Sequence, residues 1–236
     1  MRILILKWER LCCQALAAIV QRKFQTAEVV IEQRARNALR LLRIAPVAFA
    51  VLGVDAPDLD GLDFIPEIID RHLARRSIII CERVDRRTLS ALRRLPYDGL
   101  IDASSADTGE LELALEQIAN GERHTSSVLH ERLREFGSLW QPQLSPREEV
   151  VLSALGEGLD NEEAAIRLGL SPATIRSHRT HIMGKLSLHH KGQLIEYALV
   201  NQYVRYTEEG ILHPGFESDF EPPFDFREQF EASRAG

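Results

Sequence analysis

Leu168-Gly169-Leu170-Ser171-Pro172-Ala173-Thr174-Ile175-Arg176-Ser177-His178-Arg179-Thr180-His181-Ile182-Met183-Gly184-Lys185-Leu186 is the stretch on which the reading turns. Gly169 supplies a tight turn, and Ser171-Pro172 is a helix opening: a serine that caps, then a proline at the first helical position. Ile175, Ile182 and Leu186 fall on one side at helical spacing and predict the buried stripe. The other positions carry Arg176, Arg179 and Lys185 with His178 and His181, and no acid. Between Pro172 and Leu186 the chain therefore predicts a helix with an apolar back and a cationic, hydroxyl-bearing front.

Working outward, Asp160 to Leu168 is a shorter helical segment with three acids against one base. Asn161 is the expected cap, and Glu162 and Glu163 sit at the positive end of the helix dipole. Ahead of it, Ser145-Pro146-Arg147-Glu148 has the form of a capping box. Val150, Val151, Ala154 and Leu155 continue that helix until Gly156 and Gly158 end it. Two short helices around a glycine turn, the second basic and the first acidic, describe a helix-turn-helix. Arginine can fork onto guanine edges, and hydroxyls and free amides can hold phosphates, so a DNA-facing helix needs both kinds of group.

These strings, together with Gly158 to Ala165 and Ile182 to Leu186, resemble the LuxR/NarL/FixJ-type DNA-binding domain over about sixty residues. The resemblance implies four helices, the third lying in the major groove and the fourth, Lys191 to Val200 here, dimerising. It places Arg176, Ser177 and Thr180 at base-reading positions. Ser171, Thr174, His178, Arg179, His181 and Lys185 fall at phosphate-contacting or supporting ones, and Lys191 precedes the last helix. His181 stands where the family often has asparagine, and Lys191 where it often has arginine.

The first 120 residues alternate short apolar runs with helical segments. Strands are expected at Arg2 to Leu6, Ala27 to Ile31, Val47 to Val54, Ser77 to Cys81 and Gly99 to Ile101, with helices between them. That order predicts βαβ units around a parallel sheet, a flavodoxin-like doubly wound domain. This layout resembles the receiver domain of response regulators. Receiver chemistry uses an acidic pair for Mg²⁺, a phospho-accepting aspartate, a Ser or Thr, and a lysine at the strand ends. Here Lys7 and Trp8 take the place of the acidic pair, Gly53 of the acceptor, Cys81 of the Ser/Thr, and Ala103 or Ser104 of the lysine. All four elements are missing, so the resemblance implies a receiver-like domain that does not take a phosphoryl group. Two readings of Lys7 stay open: an ammonium in the vacated metal position, near Glu9, Asp55 or Glu82, or a solvent-exposed side chain left by drift.

The expected organisation is thus a receiver-like α/β domain (1–120), a linker with a helix (121–142), an all-α helix-turn-helix domain (143–205) and an acidic, phenylalanine-bearing tail (206–236). The chain's formal charge is −6, and residues 206 to 236, with eight acids and two bases, carry all of it. Residues 1–205 are neutral, so overall acidity does not argue against nucleic acid. The tail's Phe216, Phe220, Phe224, Phe226 and Phe230 leave two readings open, a solvated end or one docked on protein.

Cys12, Cys13 and Cys81 form no disulfide framework or zinc-ligand pattern, and no metal or cofactor is expected. No P-loop, nucleophile elbow or dinucleotide fingerprint is present, so catalysis is not expected. No apolar run reaches membrane-spanning length, and a cytoplasmic location is the expectation. The function read from the residues is a sequence-specific transcription regulator acting as a homodimer on double-stranded DNA without aspartyl phosphorylation, with RNA polymerase or another regulator as further partners. The rival is an adaptor that modulates another regulator through its receiver-like domain and tail.

Overall fold

The computed structural model describes residues 1–139 and 144–220. It divides into two compact units. Among the described residues, one comprises 1–139 with 205–215 and the other 144–204 with 216–220.

The first unit is built on a parallel sheet of six strands in the order β2-β1-β3-β4-β5-β6. These are β1 (Arg2–Leu6), β2 (Glu28–Glu32), β3 (Val47–Gly53), β4 (Ala74–Cys81), β5 (Gly99–Asp102) and β6 (His124–Thr125). The near-continuous apolar runs exist because both faces are covered. With a side-chain period of two, Leu4, Leu6, Ala50, Leu52 and Ile79 point into one core, while Ile3, Ile5, Val51, Ile78 and Ile80 point into the other. Helices α2 (Ala35–Ile44), α3 (Gly61–Asp70), α4 (Arg86–Leu92) and α6 (Ser127–Leu139) line the first face. Helices α1 (Arg10–Lys23) and α5 (Thr108–Ala119) line the second. The doubly wound expectation is met.

Two features differ from the sequence reading. The sheet has a sixth strand, β6, and the segment expected as a linker folds into β6 and α6 within the first unit. Two residues of strand give too short a pattern to read, and Leu129, wholly buried, is the kind of lone anchor that periodicity over a long helix obscures. The start of the expected tail also differs. β7 (Arg205–Thr207) and β8 (Gly210–Leu212) form an antiparallel hairpin that belongs to the first unit. Arg205 pairs with Asp55 and with the wholly buried Asp60, the hydroxyl of Thr207 donates to the carbonyl of Pro57 at 2.9 Å, and the amide of Gly215 donates to Asp63 at 2.8 Å. Arg83, on the same two carboxylates, lies 3.0 Å from Asp55 and 2.9 Å from Asp60.

In the second unit α7 (Pro146–Gly156), α8 (Asn161–Leu168), α9 (Pro172–Lys185) and α10 (Lys191–Val200) surround a small core. Val151, Leu152, Leu155, Ala164, Ala165, Ile175, Ile182, Leu194 and Ala198 are buried in it. A Cβ on Gly156 would stand 2.4 Å from that of Ala198, so this glycine lets α7 and α10 touch closely. Phe216, intermediate in exposure, stacks on Tyr203 with ring centroids 6.4 Å apart, and Phe220, in the short α11 (Glu217–Phe220), is buried. These two phenylalanines are docked. Phe224, Phe226 and Phe230 lie outside the described residues.

The hairpin's arginine sits among largely buried charges, so removing it leaves carboxylates short of a partner. Arg205→Ala is expected to destabilise the first unit by about 3 kcal/mol. Arg34→Ala, which breaks a pair with Glu209 on a half-exposed arginine, should cost under about 1 kcal/mol. Thermal denaturation of the two variants side by side measures the difference.

Candidate nucleic-acid interface

The third helix of the second unit is fixed at both ends. At its start the side chain of Ser171 accepts from the amide of Thr174 at 3.1 Å, and the two hydroxyls lie 2.8 Å apart. Before it, Gly169 closes α8 with φ +63°, the left-handed conformation that glycine adopts without strain. At its far end the ammonium of Lys185 lies 2.6 Å from the buried carboxylate of Glu148. Glu148 also takes the amide of Ser145 at 2.7 Å, closing the capping box of α7. Burial alone would push the Glu148 carboxyl up, but the hydrogen bonds from Lys185 and Ser145 outweigh it and hold it at about 2.

Ile175 and Ile182 turn inward, as the spacing predicts, and are wholly buried, whereas Leu186, the third expected member of the stripe, is only partly buried. Ser171, Arg176, Ser177, Thr180 and His181 are exposed, while Thr174, His178 and Arg179 are intermediate. Thr180 donates its hydroxyl back to the carbonyl of Arg176 at 3.0 Å. Among the described residues no carboxylate pairs with Arg176 or Arg179. The helix thus presents two arginines, two imidazoles and short hydroxyls together.

Three details refine the sequence reading. The cap of α8 is Asp160, not Asn161: its side chain accepts from the amide of Glu163 at 2.8 Å, and Glu163 returns the bond at 2.8 Å. A reciprocal Asp-x-x-Glu box satisfies two amides, whereas an Asn161 cap would satisfy one. Lys185 is held by Glu148 as a supporting group, so it is not a free cation. Lys191 is likewise engaged, donating to the carbonyl of Gly158 at 2.7 Å. Neither partner could be read from the sequence, because each lies more than thirty residues away.

The strand ends of the first unit bring most of the other singled-out residues together. Lys7, 6% exposed, follows β1 and is clasped by Glu9 and by Glu82, the latter at 2.7 Å. Burial opposes its charge, but the two carboxylates prevail and raise its pKa. Glu82 is pushed up by burial in spite of Lys7. Gly53 ends β3, and a Cβ there would stand 2.7 Å from Cδ of Lys7. Cys81 ends β4 with its thiol donating to the carbonyl of Arg83 at 2.7 Å, and burial moves its pKa up to about 12. Ser104 donates its hydroxyl to Asp102 at 2.9 Å, and Trp8 is 41% exposed. Lys7 meets two of its three expected neighbours. Asp55, the third, is held by Arg83 and Arg205. Glu82 and Arg83 follow the β4 run directly and their chemistry could have flagged them, but nothing local announces Arg205.

Residues 142–198 match the model of bacterial regulatory proteins, luxR family. The match covers α7, α8, α9 and most of α10. Beyond it, the Fimbriae Z protein of Salmonella typhimurium is 28% identical over 167 residues, covering 69% of this chain and 79% of that protein. Transcriptional regulatory protein MctR of Rhizobium johnstonii is 27% identical over 204 residues, 84% of this chain and 92% of that one. Among solved structures, RcsB from Salmonella enterica serovar Typhimurium bound to promoter P1flhDC superposes with a TM-score of 0.56 at 22% identity, covering 84% of this chain and 97% of that chain. The fold is therefore shared with RcsB.

Because the folded-state pKa of Glu148 lies below its ordinary 4.5, its contribution is fully present above about pH 4.5 and drains away as pH falls toward 2. Glu148→Gln is expected to cost about 1–3 kcal/mol at pH 7 and to flatten the acid limb of a stability–pH curve between those values. Urea denaturation at a series of pH values checks it; an unaltered acid limb would show that the pair contributes nothing.

Proposed function

We propose that this protein is a sequence-specific, DNA-binding transcription regulator that works as a homodimer, with α9 in the major groove. The observation that carries the reading is the exposed, acid-free cationic front of α9 inside a segment that matches the luxR family. Arg176, Ser177 and Thr180 read bases. Ser171, Thr174, His178, Arg179 and His181 contact phosphates, the amides at the start of α9 adding the positive end of the helix dipole. Lys185 and Lys191 act from behind, setting the pose of α9 and the start of α10. Dimerisation through α10 is supported by Val200, 67% exposed on that helix. Half-sites about one helical turn apart follow from a two-fold dimer.

The receiver-like unit works without aspartyl phosphorylation. What supports this is charge and space: the metal position is filled by an ammonium that already has two carboxylate partners, and the acceptor position is a glycine. A side chain at Gly53 would require Lys7 to shift, since its Cβ would stand 2.7 Å from Cδ of Lys7. No Mg²⁺-assisted transfer is expected where a lysine and two arginines already neutralise the acids.

Fluorescence anisotropy on duplexes recovered by genomic footprinting tests the DNA reading. Arg176→Ala should weaken specific binding by about 1–3 kcal/mol and relax preference at one base step. Equal loss on every duplex would remove Arg176 from base reading, and no binding at low salt would favour the adaptor. Incubation with a small phosphodonor and Mg²⁺ should leave the intact mass unchanged; an added phosphoryl group would overturn the second part.

A further inference from the structure

At the same strand ends, on the face covered by α1 and α5, lies a cavity of about 210 Å³. Its walls are chiefly apolar: Ala15, Leu16 and Ile19 from α1, Ile80 and Ile101 from the sheet, and Leu111 from α5. The opening exists because the β5–α5 turn carries the small Ala103 and Ala106 along its edge. The sequence reading places the receiver lysine at Ala103 or Ser104, so the cavity adjoins the position where that long side chain would stand.

We infer that this cavity is a binding site for a small, neutral, largely apolar molecule, of one or two fused rings, and that it is the input of the receiver-like unit. The size follows from volume, since a dry cavity of about 150 Å³ is enough for benzene. The absence of charge on the ligand follows from the polar rim. The Lys7 ammonium is already shared by Glu9 and Glu82, so it offers no unshared charge to an anion. The start of α5, where free amides would otherwise attract one, is capped by Asp107, whose carboxylate accepts from the amide of Glu110 at 2.9 Å and repels anions. Asp107 and Thr108 leave room for one polar contact, an N–H or O–H on the ligand directed to the rim. The inference rests on the reading that this unit takes a non-phosphate signal.

Cys12 offers a local reporter. It lines the cavity and is exposed, whereas Cys13 and Cys81 are buried with thiol pKa values raised by burial. The experiment titrates indole into the full-length protein by calorimetry and follows alkylation of each cysteine by N-ethylmaleimide with peptide mass spectrometry. Saturable binding is expected, with Cys12 alkylation slowed in proportion to occupancy. Benzoate, a ring of similar size bearing a carboxylate, should neither bind nor protect. Ala15→Leu and Ala106→Leu each fill the cavity from a different wall and should weaken indole at least about tenfold. Ala15 is exposed on α1, so its variant keeps the fold. No saturable indole binding, or binding that neither variant weakens and that leaves Cys12 unprotected, overturns the site. The phosphodonor experiment is independent: a phosphorylated protein would defeat the non-phosphate reading, whatever indole does.

Discussion

A glutamate that is almost wholly withdrawn from water must find a cation, and in the helical unit that cation is Lys185. The ion pair ties the last turn of α9 to the first turn of α7. Through the same carboxylate, it is also joined to the capping box at Ser145. One buried charge thus anchors the end of α9 against the core, the Ser171 cap fixes its start, and Ile175 and Ile182 set its rotation. With rotation fixed, Arg176, Ser177, Thr180 and His181 have nowhere to face but solvent. The basic front follows from a buried acid behind it, which is why a helix rich in cations sits stably in a unit with so small a core.

A related constraint acts at the strand ends of the α/β unit. Asp55, Asp60, Glu9 and Glu82 converge there, and clustered carboxylates in a partly dry site repel one another unless they are compensated. The compensation is internal. Lys7 serves Glu9 and Glu82, and Arg83 and Arg205 serve Asp55 and Asp60. Arg205 arrives from a hairpin that follows α10 in the chain, so a segment distant in sequence completes the acidic cluster. Charge that a divalent ion could neutralise is neutralised by side chains, and the room left beside it is apolar.

Much of this was legible in the residues, for identifiable reasons. Long buried strands such as Val47–Gly53 and caps such as Ser145 and Ser171 are local signals, and they read correctly. The near-gapless strings from Ser145 to Leu186 carried the helix-turn-helix. What escaped was non-local or short. β6 has two residues, the hairpin partner of Asp55 lies 150 positions away, and the roles of Lys185 and Lys191 depend on acceptors on other elements. The choice between Asp160 and Asn161 as cap escaped for a subtler reason: both are good caps, and only the returning bond from Glu163 distinguishes them.

The most direct trial of the central claim is amide hydrogen exchange across the whole chain, free and saturated with its own footprinted duplex. Slower exchange concentrated at Ser171 to His181, with α7 little altered, is the expected result. Unchanged exchange along α9, with the slowing found instead in the α/β unit, would contradict a helix lying in the groove.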